Sequence, residues 1–187
     1  VKIHTDQGIT GIGETQAWRR QGSAETLKGQ INVIKNYFEP QILGRSPFEI
    51  ASIMQNLDES MYHSHYSHAP VGDALYDIVG KILDVPIFNL LGGQTRGTVR
   101  VAAVLTMKGN IESLIESADD YFERGFRHFV LKIGVNPTTD LKNAEALRNR
   151  FGDEITLRVD ANAALNYDSA LRLLTKLKPF DIETVEQ

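Results

Sequence analysis

Residues 127–133 read RHFVLKI, a run in which Phe129, Val130, Leu131 and Ile133 surround a single lysine, Lys132. An ammonium in apolar surroundings is costly unless something compensates it, so Lys132 either snorkels to the surface or is placed inward for a chemical reason. Two later runs have the same form: ITLRVD at 155–160 ends on Asp160, and IETVE at 182–186 ends on Glu186. VRVAAV at 99–104 is a fourth run of strand character, and segments 111–124, 138–151 and 167–177 read as helices between the runs. Such alternation predicts parallel strands joined by crossover helices. Lys132, Asp160 and Glu186 lie 28 and 26 residues apart, one strand-plus-helix unit each time, so all three emerge at the same end of neighbouring strands. In a (β/α)₈ barrel of the TIM type that end carries the active site. A complete barrel takes about 250 residues, so 96–187 is expected to be only its first half. A parallel sheet ending at 182–186 would leave an open edge, which also argues for a truncated barrel.

The residues before Gly93 have a different rhythm. Val1, Ile3 and Thr5 alternate, Asp6-Gln7-Gly8 turns, and Ile9 to Gly13 returns, the pattern of a β-hairpin whose preceding strand is expected to be missing. Apolar residues then recur at helical spacing: Leu27, Ile31, Ile34 and Phe38; Ile50, Ile53, Met54 and Leu57; Leu75, Ile78, Val79 and Ile82. Pro40, Pro47, Pro86 and Gly92-Gly93 punctuate them. Residues 1–95 thus read as a small α+β domain in front of the barrel domain at 96–187.

Composition excludes several classes of function. With 42% hydrophobic and 24% charged residues the chain has the balance of a globular protein. Its net charge of −4 is spread without a basic stripe, so nucleic acid is not an expected partner. No apolar run reaches the ~20 residues of a membrane span, and VKIHTDQG lacks the regions of a signal peptide, so a cytoplasmic protein is expected. The absence of cysteine removes thiolate chemistry and leaves oxygen or imidazole as metal ligands.

Each acidic residue has a plain reading by itself. An Asp after a strand is commonly a helix N-cap, but Asn166 and Asp168 lie closer to the next helix than Asp160 does. Glu183 is expected to face the helices and Glu186, three positions later, the opposite side. Two carboxylates converging at a barrel mouth repel one another unless a cation lies between them. The fitting ion is hard, oxygen-loving Mg²⁺, with Mn²⁺ as a substitute.

Together, FVLKIG, RVDANAAL and IETVEQ, preceded by ALYDIVGKILDVPIFNLLGG, resemble the enolase superfamily in its mandelate racemase and muconate lactonizing enzyme branch. Residues 1–95 are similar to that family's capping domain, with GITGIGET and GDALYDIVGKILDVP the recognisable parts, and 99–187 to the first half of its barrel. The resemblance implies abstraction of the α-proton of a small carboxylate substrate, leading to racemisation or epimerisation, dehydration or cycloisomerisation. It implies that Asp160 and Glu186 are two of three carboxylate ligands to Mg²⁺, the third lying beyond Gln187. Lys132 matches the second lysine of a Lys-x-Lys pair and would be the acid/base. Asn162 matches the Asn of Asp-x-Asn and would contact substrate or support the site. By the same resemblance Trp18, Arg19 and Arg20, with the loop MYHSHYSHAP, would close over the barrel mouth and sort substrates; Arg19 or Arg20 could hold a distal anion, although a solvated arginine is the plainer reading. A homo-oligomer is expected.

One position departs from the family: Val130 stands where the first lysine of the pair is usual, and barrel packing is its simplest reading. The His-x-His spacing of His63 and His65, with His68, could suggest zinc, but histidines crowded into a polar loop read more simply as hydrogen-bonding surface. His128 begins its strand at the end away from the chemistry, whereas Arg158 shares a face with Asp160 and is expected to pair with interior carboxylates. Two other functions remain open at this point: a Schiff-base lysine barrel of the aldolase kind, and a non-catalytic relative that keeps the fold.

Overall fold

The computed structural model describes residues 1–16, 25–106 and 110–187, which fall into two units, Val1–Gly97 and Thr98–Gln187. In the first unit, strands β1 (Lys2–His4) and β2 (Thr10–Ile12) form an antiparallel hairpin with Ile3 opposite Gly11. Its turn uses the positive φ of Gly8, at 78°, a conformation that glycine adopts without steric cost. Helices α1 (Leu27–Val33), α2 (Glu39–Ile42), α3 (Ile50–Ser60), α4 (His65–Leu83) and α5 (Ile87–Leu90) follow, and a π-helical turn at Ile34–Phe38 joins the first two. Phe38, Ile53, Leu57, Val71 and Leu75 form the centre of this unit's core. The apolar spacing expected for α1 holds only in part, because Leu27 and Ile31 are exposed while Gln30 and Phe38 are buried. The wider π turn adds a residue per turn and rotates the inward face between Ile31 and Phe38.

The hairpin rests on α4 at backbone distance. A Cβ on Gly11 would stand 2.0 Å from the Ala74 carbonyl oxygen, and one on Gly13 would stand 1.8 Å from that of Pro70. Polar groups fix the same contact. Asp77 accepts from Ile12 N–H at 2.9 Å and from Lys81 Nζ at 2.7 Å, and Lys81 also donates to the Thr10 carbonyl at 2.8 Å.

In the second unit β3 (Ala103–Leu105), α6 (Ile111–Glu123), β4 (His128–Lys132), α7 (Pro137–Phe151), β5 (Thr156–Asp160), α8 (Tyr167–Leu177) and β6 (Ile182–Glu186) alternate. The four strands make one parallel sheet in the order β3-β4-β5-β6. This is the strand-helix succession of a TIM-type barrel, preceded by an α+β unit. Phe129, Leu131, Leu157 and Val159 point to the helices and pack with Leu114, Ala118, Ala144, Leu147, Leu173 and Leu177. The strand expected at 99–104 begins only at Ala103. Pairing sets the limit: β4 offers partners to Ala103, Val104 and Leu105, while Val99 and Val101 remain exposed. Among the described residues no helix is long and apolar enough to cross a membrane.

Two outcomes test the first unit. Gly11→Ala should cost about 2–3 kcal/mol, since the new methyl meets backbone that has nowhere to move; a denaturant titration reads it, and an unchanged midpoint would contradict the close approach. The Lys81 hydrogen bond holds the Asp77 carboxyl below the usual carboxylate range, opposed by burial and helped by Ile12 N–H. A lowered folded pKa contributes stability above the ordinary carboxylate value that is lost as pH falls through it. Asp77→Asn should therefore destabilise by about 1 kcal/mol near neutral pH, and the difference from wild type should begin to shrink as pH falls below about 4 and vanish once the folded Asp77 carboxyl, which titrates lower still, is protonated.

Candidate active site

Side chains alternate across a strand, so the residues that leave Phe129, Leu131, Leu157 and Val159 on the helix side put Val130, Lys132, Arg158 and Asp160 on the other. Lys132 stands opposite Asp160 in the register, and Asp160 opposite Glu186. All three are the last residues of their strands. The Lys132 ammonium donates to Asp160 Oδ2, and the carboxylate is 3% exposed. Its other oxygen, Oδ1, accepts the Asn162 N–H at 2.8 Å. Asp160 therefore organises the loop after β5 while facing the lysine, and the next helix is capped by Asn166 with Ser169 instead. That loop is strained: Asn162 and Ala163 have φ of 45° and 60°, a region disfavoured for side chains with a Cβ.

Glu186 reaches this layer through an irregularity in β6. Ile182 lies opposite Leu157 and packs on the helix-side core, yet Thr184, not Glu183, lies opposite Arg158. Ile182 and Glu186 are four residues apart and would share a face in a regular strand. The additional residue, Glu183, lets one face the core and the other the interior, as bulges do beside functional sites. It also corrects the expectation that Glu183 faces the helices, because its Oε2 accepts from Arg158 Nε at 2.7 Å. Arg158 is thus paired with a carboxylate as expected, below the Asp160 layer. Lower still, His128 Nδ1 lies 2.5 Å from Thr156 Oγ1, at the strand end away from Lys132.

Oxygen donors, a buried carboxylate and a second carboxylate on the neighbouring strand are the donor chemistry that Mg²⁺ prefers. Asp160 already attracts a cation, in the form of the Lys132 ammonium, so the residues present fit a divalent ion. Among the described residues no group of three or more His, Asp or Glu is gathered for a metal. The three histidines of MYHSHYSHAP do not converge: His68 packs edge-on against Phe38, while His63 and His65 are exposed with rings 6.4 Å apart. Trp18, Arg19 and Arg20 lie outside the described residues.

Residues 1–92 match the family model for the N-terminal domain of mandelate racemase and muconate lactonizing enzyme, and residues 113–187 match the enolase C-terminal domain-like model. The chain belongs to the mandelate racemase and muconate lactonizing enzyme branch of the enolase superfamily. It is 32% identical to N-succinyl-L-Arg/Lys racemase of Bacillus cereus over 100% of its own length and 50% of the racemase, whose crystal structure superposes with a TM-score of 0.93. Muconate lactonizing enzyme from Pseudomonas putida is 30% identical with a TM-score of 0.92, the chain covering 52% of it. A dipeptide epimerase from Cytophaga hutchinsonii, solved with Mg and the dipeptide D-Ala-L-Val, is 25% identical with a TM-score of 0.90 over 98% of this chain and 49% of that one. The chain spans about half the length of the relatives it matches.

Within this branch's fold, the structure brings Lys132, Asp160, Glu186 and the Asn162 backbone to one end of the sheet. Sequence reading missed Asp140, which is buried beneath the Lys132 loop and accepts Gly134 N–H at 2.9 Å. Burial pushes its carboxyl above the usual carboxylate range, with the Gly134 N–H opposing. The available signal was an Asp one turn inside a helix that Asn136 already caps.

The Arg158 hydrogen bond holds the Glu183 carboxyl below the usual range, against slight desolvation, with the charges of Arg158, His128 and Arg100 adding to it. In Arg158→Met the Glu183 carboxyl should titrate at higher pH. A carbon-detected NMR titration of the full-length protein reads this, and an unmoved Glu183 would mean the pair does not form in solution.

Proposed function

We propose that this protein is a Mg²⁺-dependent enzyme that removes the α-proton of a carboxylate substrate and returns a proton to give a racemised, epimerised, dehydrated or cycloisomerised product. The observation that carries the reading is the single layer of Lys132, Asp160 and Glu186 at the strand ends. The B. cereus racemase, the P. putida lactonizing enzyme and the C. hutchinsonii epimerase, the last solved with Mg, support the kind of reaction.

Asp160 and Glu186 would hold the ion, which when bound supplies the positive charge that makes an enediolate accessible. A Lys or His base paired with Mg²⁺ is the known arrangement of enolase-type sites. In this chain, Asp160 keeps its Oδ1 on the Asn162 N–H, so the carboxylate stays oriented whichever cation meets Oδ2. Lys132 is the group that takes the proton at Nζ, being the one basic side chain in that layer among the described residues. Val130, one pleat below, leaves no second ammonium beside it, so a partner base for two-sided exchange would come from another strand. A Schiff-base role is less well supported, because Lys132 shares its layer with two carboxylates suited to holding a cation, which Schiff-base chemistry does not need.

Full-length protein with Mg²⁺ should exchange the α-proton of at least one of three probes, N-succinyl-L-lysine, D-Ala-L-Val or muconolactone, the lactone that forms from muconate, in deuterated solvent by NMR. Lys132→Ala should abolish exchange on the face it serves and leave calorimetric Mg²⁺ affinity unchanged. Asp160→Asn should lower that affinity by more than the ~10–100-fold typical of losing a residue that only supports a ligand. Exchange on both faces undiminished in Lys132→Ala, or unaltered Mg²⁺ binding in Asp160→Asn, would overturn the assignment. Covalent trapping of substrate by borohydride would favour the Schiff base instead.

A further inference from the structure

Asp140 is fully buried, and with Asp160 it makes up the buried carboxylates among the described residues. Its position in α7 gives it no capping task. Asn136 Oδ1 already accepts from Thr138 and Thr139 N–H, and the Asp140 N–H bonds to the Asn136 carbonyl. The carboxyl group instead turns out of the helix to Gly134 N–H, two residues beyond Lys132, and its Oδ1 is buried with no hydrogen-bond partner. A buried carboxylate with one oxygen unsatisfied is costly, and apolar packing would be the cheaper way to fill the space.

The geometry around Gly134 shows what that contact holds. The chain leaves β4 with Gly134 at φ 101°, and a Cβ there would come within 2.9 Å of Ala164 Cβ and 3.6 Å of Ala161 Cβ. Ala161 and Ala164 belong to the loop that carries Asn162. Ile133 N–H donates to the Asp160 carbonyl at 2.9 Å, and Ala161 N–H to the Glu186 carbonyl at 3.0 Å. The exits of β4, β5 and β6 are thus tied in sequence, and the Asp140 side chain supplies the outermost tie.

We propose that Asp140 is a positioning residue for Lys132: by holding Gly134 N–H it presses the exit of β4 against the Asp160–Ala164 loop and keeps the Lys132 amine aligned with the Asp160–Glu186 layer. This rests on the reading of Lys132 as the acid/base. Asp140 does not touch the reacting atoms. Its requirement is for an acceptor at carboxyl reach, not for a charge, so an amide should serve and a shorter or apolar side chain should not.

The test uses full-length Asp140→Leu and Asp140→Asn, with Asp140→Thr, whose hydroxyl stops one bond short, replacing the leucine variant if that fails to fold. Well below each variant's unfolding midpoint, the leucine or threonine variant should lose about 10- to 100-fold in kcat for α-proton exchange, the scale of a small misplacement. KM and calorimetric Mg²⁺ affinity should stay within about threefold, and Asp140→Asn should recover most of the wild-type kcat. Amide hydrogen exchange should rise at 133–135 and at 161–164 in the leucine or threonine variant, and return to wild-type protection in the asparagine variant. Unchanged kcat or unchanged exchange at 161–164 in a folded variant would overturn the proposal by reducing Asp140 to a stability role, as would an asparagine variant no better than leucine. If wild-type protein exchanges none of the three probes, the proposed function has failed separately, and the amide exchange alone decides whether Asp140 ties the two loops.

Discussion

Register between parallel strands is the constraint on which the rest of this site depends. Once Phe129, Leu131, Leu157 and Val159 are committed to the helix-side core, the period of two leaves Lys132 and Asp160 no choice of face, and pairing places them side by side. The third strand could not satisfy both of its ends in the same way. Ile182 belongs in the core and Glu186 beside Asp160, and only the additional residue at Glu183 reconciles them. Arg158 then gives that residue a partner, so the irregularity creates an ion pair in place of an unmatched carboxylate.

The Lys132–Asp160 contact is not evidence of stability. Desolvating two charges costs about as much as their attraction returns, and apolar replacements at such places are frequently neutral or better. The same is true of the strained Asn162 and Ala163 backbone and of the unsatisfied oxygen on Asp140. Three such costs gathered at one end of one sheet support the proposed placement of the site there. Elsewhere in the two units both cores are apolar, α6, α7 and α8 carry side-chain N-caps, and Gly11 and Gly13 lie where backbone meets backbone.

How far the sequence could be read differs by element, for physical reasons. Residues 128–132, 156–160 and 182–186 were legible as strands because each couples a short β-branched or aromatic run to turn residues, and their even spacing implied parallel pairing. The strand expected at 99–104 was placed too early because a strand ends where its partner does, which no local pattern states. The α1 segment was misread in facing because a π turn changes the helical period after Val33.

The sequence by itself determined which side chains could meet at the strand ends: apolar alternation specifies the face of Lys132 and Asp160, unit length brings Glu186 to the same end, and the motifs around them carry the family. Only the tertiary structure decided what depends on contacts between segments distant in the chain. Gly11 and Gly13 are required because α4 passes at backbone distance, Glu183 reaches Arg158 because β6 carries an additional residue, and Asp140 holds Gly134 where the exit of β4 meets the loop from β5. In each case the residue's own neighbours along the chain permit another arrangement, and the packing of a remote segment removes it.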